Sequence, residues 1–482
     1  MRRTSLVAAS LAALTLAGCT TDPKPAPAAS ASAEAKAPVV DYAAWNAGRS
    51  TPVADPLYPQ HGNPQLDVLH YGLELAWEPT TKTLTGTATL RVRPLADLTE
   101  IRLDFANYVL DETTVDGKPR AGSVASEKFA IPATLTRDKP VTLVVKYHGT
   151  PATVKMPSHR DDFTEGLGLT VTADNELWTM QEPFGAYTWY PSNDQPSDKA
   201  LYDIAVTVPD GWAGIASGTP GEQKGNTYTY ASKDPVASYL TTLAVGKYQK
   251  ESVVGPHGLP LTYWFRAGAD EGMLSVIRKS PQYIEWLEKK FGAYPFPSGG
   301  VVLVPSESGM ETQQMITIGI PKVADKSRLP MVMDGDMLHE YAHQWFGDAV
   351  TTSTWTDLWL NEGWAMYAQL LFEDERDHVT DAQLETWLRK RDADLRAKVG
   401  APGHPKADSF AESNVYLCPA AMLHEIHQAV GDEKFYAMAR DWVAQNKGNQ
   451  DRASFTAFVN KHTGQDFTAL INAWLDSPTT PA

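Results

Sequence analysis

Leu338-His339-Glu340-Tyr341-Ala342-His343, with Asn361-Glu362-Gly363 downstream, is the stretch that decides the reading of the whole chain. Two histidines four residues apart on a helix leave the same face one turn apart, so their rings can converge on one ion. The neighbourhood is patterned for a helix: Leu338, Tyr341, Ala342, Trp345 and Phe346 form an apolar stripe, with His339 and His343 beside it. Glu340 points about 100° away from His339, which places it to reach a water on the metal and not to be a third ligand of that face. Eighteen residues separate His343 from Glu362, enough for a turn and a second helix that returns a carboxylate. Two histidines at this spacing can also be a hydrogen-bonded pair at a core edge. The second helical pattern around Glu362 (Leu360, Trp364, Tyr367, Ala368, Leu371) favours the metal. Three protein ligands and one open position describe a catalytic zinc site, since structural sites are closed and usually built from cysteines.

Working outward, 482 residues with 43% hydrophobic and 21% charged residues suit two or three globular domains. A net charge of −16 argues against a nucleic-acid partner and against a basic membrane-binding patch. Arg2 and Arg3 precede an apolar run from Leu6 to Leu16, too short to span a bilayer, which ends in Leu16-Ala17-Gly18-Cys19. This resembles the lipobox of bacterial lipoproteins. The expectation is a leader over residues 1–18 and an acylated Cys19 that anchors an exported chain on the extracytoplasmic face of a bacterial membrane. Residues 19–58, dominated by Pro, Ala and Ser up to Pro38, read as a tether. Cys418 is the one other cysteine, so no intrachain disulfide is expected in the mature protein.

Over residues 59–250 the periodicity is two. Leu69, Tyr71, Leu73, Leu75 and Trp77 alternate with other residues, and so do Leu84, Gly86, Ala88, Leu90 and Val92. Further strands are legible at 101–105, 141–147, 201–208 and 239–245. Such strands, punctuated by Gly and Pro, predict an antiparallel β-sandwich or saddle-shaped domain. From 251 to 482 the pattern shifts to a small sheet (301–304 and 315–320) followed by helices. One helix is expected over 271–291, disturbed at Pro281. Others are expected over 381–399, 415–430, 433–445, 454–462 and 466–476.

Several motifs in order then carry a resemblance. They are Gln181-Glu182-Pro183, Trp189-Tyr190-Pro191 with Asp194, Phe291-Gly292-Ala293-Tyr294-Pro295, Gly309-Met310-Glu311-Thr312, Trp345-Phe346-Gly347-Asp348 and Val415-Tyr416. Together with the histidine motif they make the chain similar to the aminopeptidase N-type zinc metallopeptidases, a gluzincin family. The resemblance implies an N-terminal β-domain followed by a thermolysin-like α+β zinc peptidase domain, holding one Zn2+ on His339, His343 and Glu362. It implies Glu340 as general base and Tyr416 as the donor to the oxyanion. Glu311 and Glu182 would hold the free α-amino group, beside Gly309 and Met310 of the substrate-binding edge. The expected reaction removes the N-terminal residue of a peptide with a free N-terminus. A zinc endopeptidase of the same fold, or an inactive peptide-binding lipoprotein, are the alternatives.

The residues that follow Glu362 are all needed for catalytic-domain helices, so a short form without the family's C-terminal helical domain is expected, and a monomer. Three positions depart from the family pattern: Thr312 stands where Asn is usual, Met180 where Gln is usual, and Leu417, Cys418 and Pro419 follow Tyr416.

Overall fold

The computed structural model describes residues 40–158, 164–323 and 326–482. The leader, Cys19 and the tether up to Pro38 lie outside the described residues. The tether boundary at residue 58 is corrected. From Asp41 onward the chain is fastened to the β-domain. Asp41 caps a 3-10 helix, Tyr42–Gly48, by accepting from the Ala43 amide. Ser50 Oγ lies 2.8 Å from Asp67 Oδ1 and 3.0 Å from Asp198 Oδ1, bridging the two carboxyl groups, and Tyr58 is buried with its hydroxyl on the Ala407 carbonyl at 2.9 Å. A polar-looking segment is ordered here by hydrogen bonds to buried carboxylates, which composition does not reveal.

The β-domain is organised on the strand Leu66–Glu78, one of the two central strands of an eight-stranded sheet. Its first half is buried on both sides and its second half alternates, as expected where one face passes from interior to solvent. Thr83–Pro94 pairs with it antiparallel. On its other side Ala200–Thr207 runs parallel, with His70 opposite Leu201, so the expectation of a purely antiparallel domain fails at this pair. The long intervening segment, which holds the whole three-stranded sheet and two strands of the four-stranded one, is what makes the parallel return possible. One of those sheets holds Leu177–Met180, whose last residue leads directly into Gln181 and Glu182. The strand expected over 239–245 is shorter, Leu243–Gly246, because Ser238–Leu240 forms a 3-10 turn.

The next strand, Tyr248–Val254, already belongs to the second domain, so the boundary falls at Lys247, slightly before residue 250. It begins a five-stranded mixed sheet in which Pro260–Arg266, Gly299–Leu303 and Ile316–Ile318 follow, and Gly309–Met310 forms the edge. Nine α-helices accompany it among the described residues: α1 (Glu271–Ile277), α2 (Ser280–Phe291), α3 (Leu329–His343), α4 (Trp359–Asp377), α5 (Asp381–Val399), α6 (Asn414–Val430), α7 (Asp432–Gln445), α8 (Arg452–Thr463) and α9 (Thr468–Asp476). The single helix expected over 271–291 is thus two, with Pro281 in the first turn of α2, where its missing N–H costs nothing. Helix α3 stops at His343 and does not run through Phe346. Trp345 and Phe346 are buried all the same, and Phe346 stacks on Trp364 of α4 with centroids 4.5 Å apart. α4 packs against both α3 and α6, and these three helices carry the site. Cys418 is buried and unbridged.

Candidate active site

Helix spacing alone brings the first two groups together. His339 and His343, one turn apart on α3, have their Nε2 atoms 3.0 Å from each other. Glu362, in the first turn of α4, places Oε2 3.2 Å from each of those nitrogens. All three are buried. The His343 ring is fixed from behind, because Nδ1 meets the Phe346 carbonyl at 2.9 Å, which leaves Nε2 to face the triad. Gly347, with φ of +139°, allows this turn. A Cβ there would lie 3.0 Å from His343 Nδ1. Two imidazole nitrogens and one carboxylate oxygen, clustered this closely in a dry place, are the donor set that zinc prefers.

The charges agree with that role. Burial alone would raise Glu362, but His343 and His339 outweigh it and hold its carboxyl far below the ordinary range. Burial would likewise lower His343, and the carboxylates of Glu362, Glu311 and Glu340 raise it instead. Glu340 is pushed well up by burial, with Glu311, Glu362 and Asp336 adding repulsion against the opposing pull of His343. Such a concentration of buried negative charge is relieved by a dication.

One cavity of about 260 Å³ gathers the residues expected from the sequence: Glu340, Glu311, Glu182, Gly309, Met310 and Tyr416 line it together with the triad. Cys19 is outside the described residues. Gly309 is glycine for a steric reason, since a Cβ would lie 2.6 Å from Glu340 Oε1 and 2.6 Å from Ile318 Cδ1. The edge strand can therefore lie directly against the general-base candidate. Tyr416, half-buried near the start of α6, stacks its ring on His339 at 6.0 Å and 24°. Glu182 is delivered by a rigid loop. Gln181 Nε2 donates to the Ser238 and Thr241 carbonyls at 2.9 and 2.8 Å, while its Oε1 accepts from Trp189 Nε1 at 2.9 Å. Asp194 accepts from the Gly185 amide at 2.9 Å and Ser238 Oγ at 2.7 Å.

The departures resolve in structural terms. Thr312 turns away from the cavity and joins a chain of buried hydroxyls across the two domains: Thr312 to Thr317 at 3.0 Å, Thr317 to Thr242 at 2.9 Å, and Thr242 to Thr179 at 3.0 Å. Met180 is buried beside Ser306 and is not among the lining residues. Pro419 sits inside α6, past its first turn. Its ring packs on Gly363, where a Cβ would come within 2.7 Å of Pro419 Cβ, so the glycine after Glu362 is what lets α4 and α6 approach.

Sequence reasoning missed Gln344. It is fully buried, donates Nε2 to the Glu311 carbonyl at 2.8 Å, and accepts at Oε1 from the Gln314 amide at 2.9 Å and the Tyr294 hydroxyl at 3.2 Å. It pins the loop that carries Glu311 to the end of α3. Its position directly after His343 was the one available signal.

Comparison with known proteins follows the same division of the chain. The Peptidase M1 N-terminal domain model matches residues 67–240, and the Peptidase family M1 domain model matches residues 276–474. Aminopeptidase N of Streptomyces lividans is 28% identical over 333 residues, 62% of this chain and 38% of that protein. Aminopeptidase N of Acetobacter pasteurianus is 27% identical over 321 residues, 62% of this chain and 88% of that protein. The chain covers 38% to 49% of the length of the first curated relatives, which include the rat aminopeptidase B. Among solved structures, the M1 zinc metallopeptidase of Deinococcus radiodurans superposes with a TM-score of 0.77 at 26% identity, over 89% of this chain and 99% of that one. The leukotriene A4 hydrolase of Saccharomyces cerevisiae shares the fold, with a TM-score of 0.69 at 17% identity over 86% of this chain and 69% of that one. Both domains, in their order and with the zinc-ligand set in the second, place this chain in peptidase family M1.

Proposed function

We propose that the protein is a zinc-dependent aminopeptidase that hydrolyses the first peptide bond of substrates with a free N-terminus. One observation carries this reading: Glu311 and Glu182, from different domains, face the same small cavity as His339, His343 and Glu362. A peptidase that cuts within chains has no use for two such carboxylates at the end of its cleft. The relative from Deinococcus radiodurans, solved with a Tyr-Ser-Ala substrate, supports peptides as the class.

His339, His343 and Glu362 would hold the ion, which supplies Lewis-acid polarisation of the carbonyl and lowers the pKa of water. The remaining work belongs to the side chains. Glu311 and Glu182 pair with the substrate ammonium and so set which peptide bond is presented. The edge strand Gly309–Met310 offers backbone groups for strand addition by the peptide. Glu340 takes the proton of the attacking water and passes it to the leaving amine, for which reach matters more than a tuned pKa. Tyr416 donates its hydroxyl to the oxygen that becomes negative, worth about 3 kcal/mol for one such donor.

The test is hydrolysis of alanyl peptides and their N-acetylated counterparts by the purified full-length protein. Release of alanine from the free peptides alone is expected, and equal cleavage of the acetylated peptides would sink the aminopeptidase reading. The proposal extends to location: an export leader and two acyl chains on Cys19 would hold a monomer at the outer face of a bacterial membrane, because a single chain binds only marginally.

A further inference from the structure

The cavity has a direction, and its far end is charged. On the edge loop, Glu311 marks the amine end, Gly309 lies against Glu340, and Ser308 and Glu307 continue past it. On α3, Asp336 precedes Glu340 by four residues, on the same face and about 6 Å further along the axis. If the aminopeptidase reading holds, a peptide with its amine at Glu311 and Glu182 has its first carbonyl beside Glu340. Its second side chain then passes Gly309 toward Asp336.

That end of the cavity suits a long cationic side chain. Met333 and Met366 line it and would cover an aliphatic stem. Asp336 lines it half-buried, and no lysine or arginine is among the described lining residues. Behind Asp336, Glu373 is held by Gln369 Nε2 at 3.1 Å, close against the backbone at Gly335. Burial and the Glu373 charge together raise Asp336 to about 7, the environment in which a carboxylate gains most from an incoming cation. Glu307 at the rim already pairs with the exposed Lys322, so it contributes less. We propose that Asp336 selects peptides whose second residue is lysine or arginine.

The test compares kcat/KM of the full-length protein for Ala-Lys-Ala, Ala-norleucine-Ala and Ala-Glu-Ala, with alanine anilide as a substrate lacking a second residue. Norleucine keeps the stem of lysine and removes the charge. The lysine peptide is expected to exceed the norleucine peptide by about tenfold, equivalent to one well-placed charged contact, with the glutamate peptide slowest. Asp336→Asn should bring the lysine-to-norleucine ratio close to one, while Asp336→Glu should keep the preference. The ratio is taken within one preparation, so partial unfolding does not affect it. Equal cleavage of the lysine and norleucine peptides by the wild type overturns the inference and leaves the aminopeptidase reading intact. A preference that survives in Asp336→Asn overturns the assignment to Asp336. Failure to release alanine from any peptide or from the anilide overturns both readings.

Discussion

Replacing Gln344 with leucine tests how the substrate loop is held. The exchange nearly preserves volume but removes one donor and one acceptor from a site with no exposure. Three groups then lose their partner: the Glu311 carbonyl at 2.8 Å, the Gln314 amide at 2.9 Å and the Tyr294 hydroxyl at 3.2 Å. The tyrosine is only partly buried and can turn to water. The two backbone groups cannot, and each buried group left unmade costs about 1–3 kcal/mol. The expected loss of stability is therefore about 2–6 kcal/mol, measured by urea unfolding against wild type. Activity should change in a characteristic way. The ligands on α3 and α4 are untouched, so zinc content stays, whereas the loop bearing Glu311 loosens and discrimination between free and acetylated peptides falls. A variant within about 0.5 kcal/mol of wild type, with undiminished discrimination, would refute the idea that Gln344 positions Glu311.

Other expectations concern single groups. Glu340→Gln should retain the metal while kcat falls by at least about 10², and wild-type turnover would remove Glu340 as the base. Glu311→Ala should weaken the preference for free over acetylated peptides, read as a ratio of kcat/KM, and an unchanged ratio would show that the amine is held elsewhere. Cys19→Ala should move the protein from the membrane to the soluble fraction on cell fractionation; retention in the membrane would end the lipoprotein proposal.

The legible and illegible parts of the site differ in the kind of signal they leave. His339 and His343 are fixed by helix periodicity, and the apolar pattern around Glu362 marks a second helix, so the triad follows from local rules. Glu311 and Glu182 are loop carboxylates whose spacing says nothing by itself. Resemblance found them, and the structure brings them to one cavity. Gln344, the Gly309 contact with Glu340 and the Gly363 contact with Pro419 depend on which elements meet, and no one-dimensional pattern records that. The parallel pairing of Leu66–Glu78 with Ala200–Thr207 was hidden for the same reason. Alternation reports a strand and its faces but not the direction of its neighbour. Segment 41–58 looked like tether because its anchors are hydrogen bonds to Asp67 and Asp198 and not a run of apolar residues.

The most direct test of the central claim is zinc titration of the chelated full-length protein while alanine release from a free alanyl peptide is followed. One equivalent per chain should restore activity fully, and His343→Ala should neither hold that equivalent nor recover. Activity that survives chelation, or a His343→Ala variant that binds a full equivalent of zinc, would contradict a single catalytic ion on His339, His343 and Glu362.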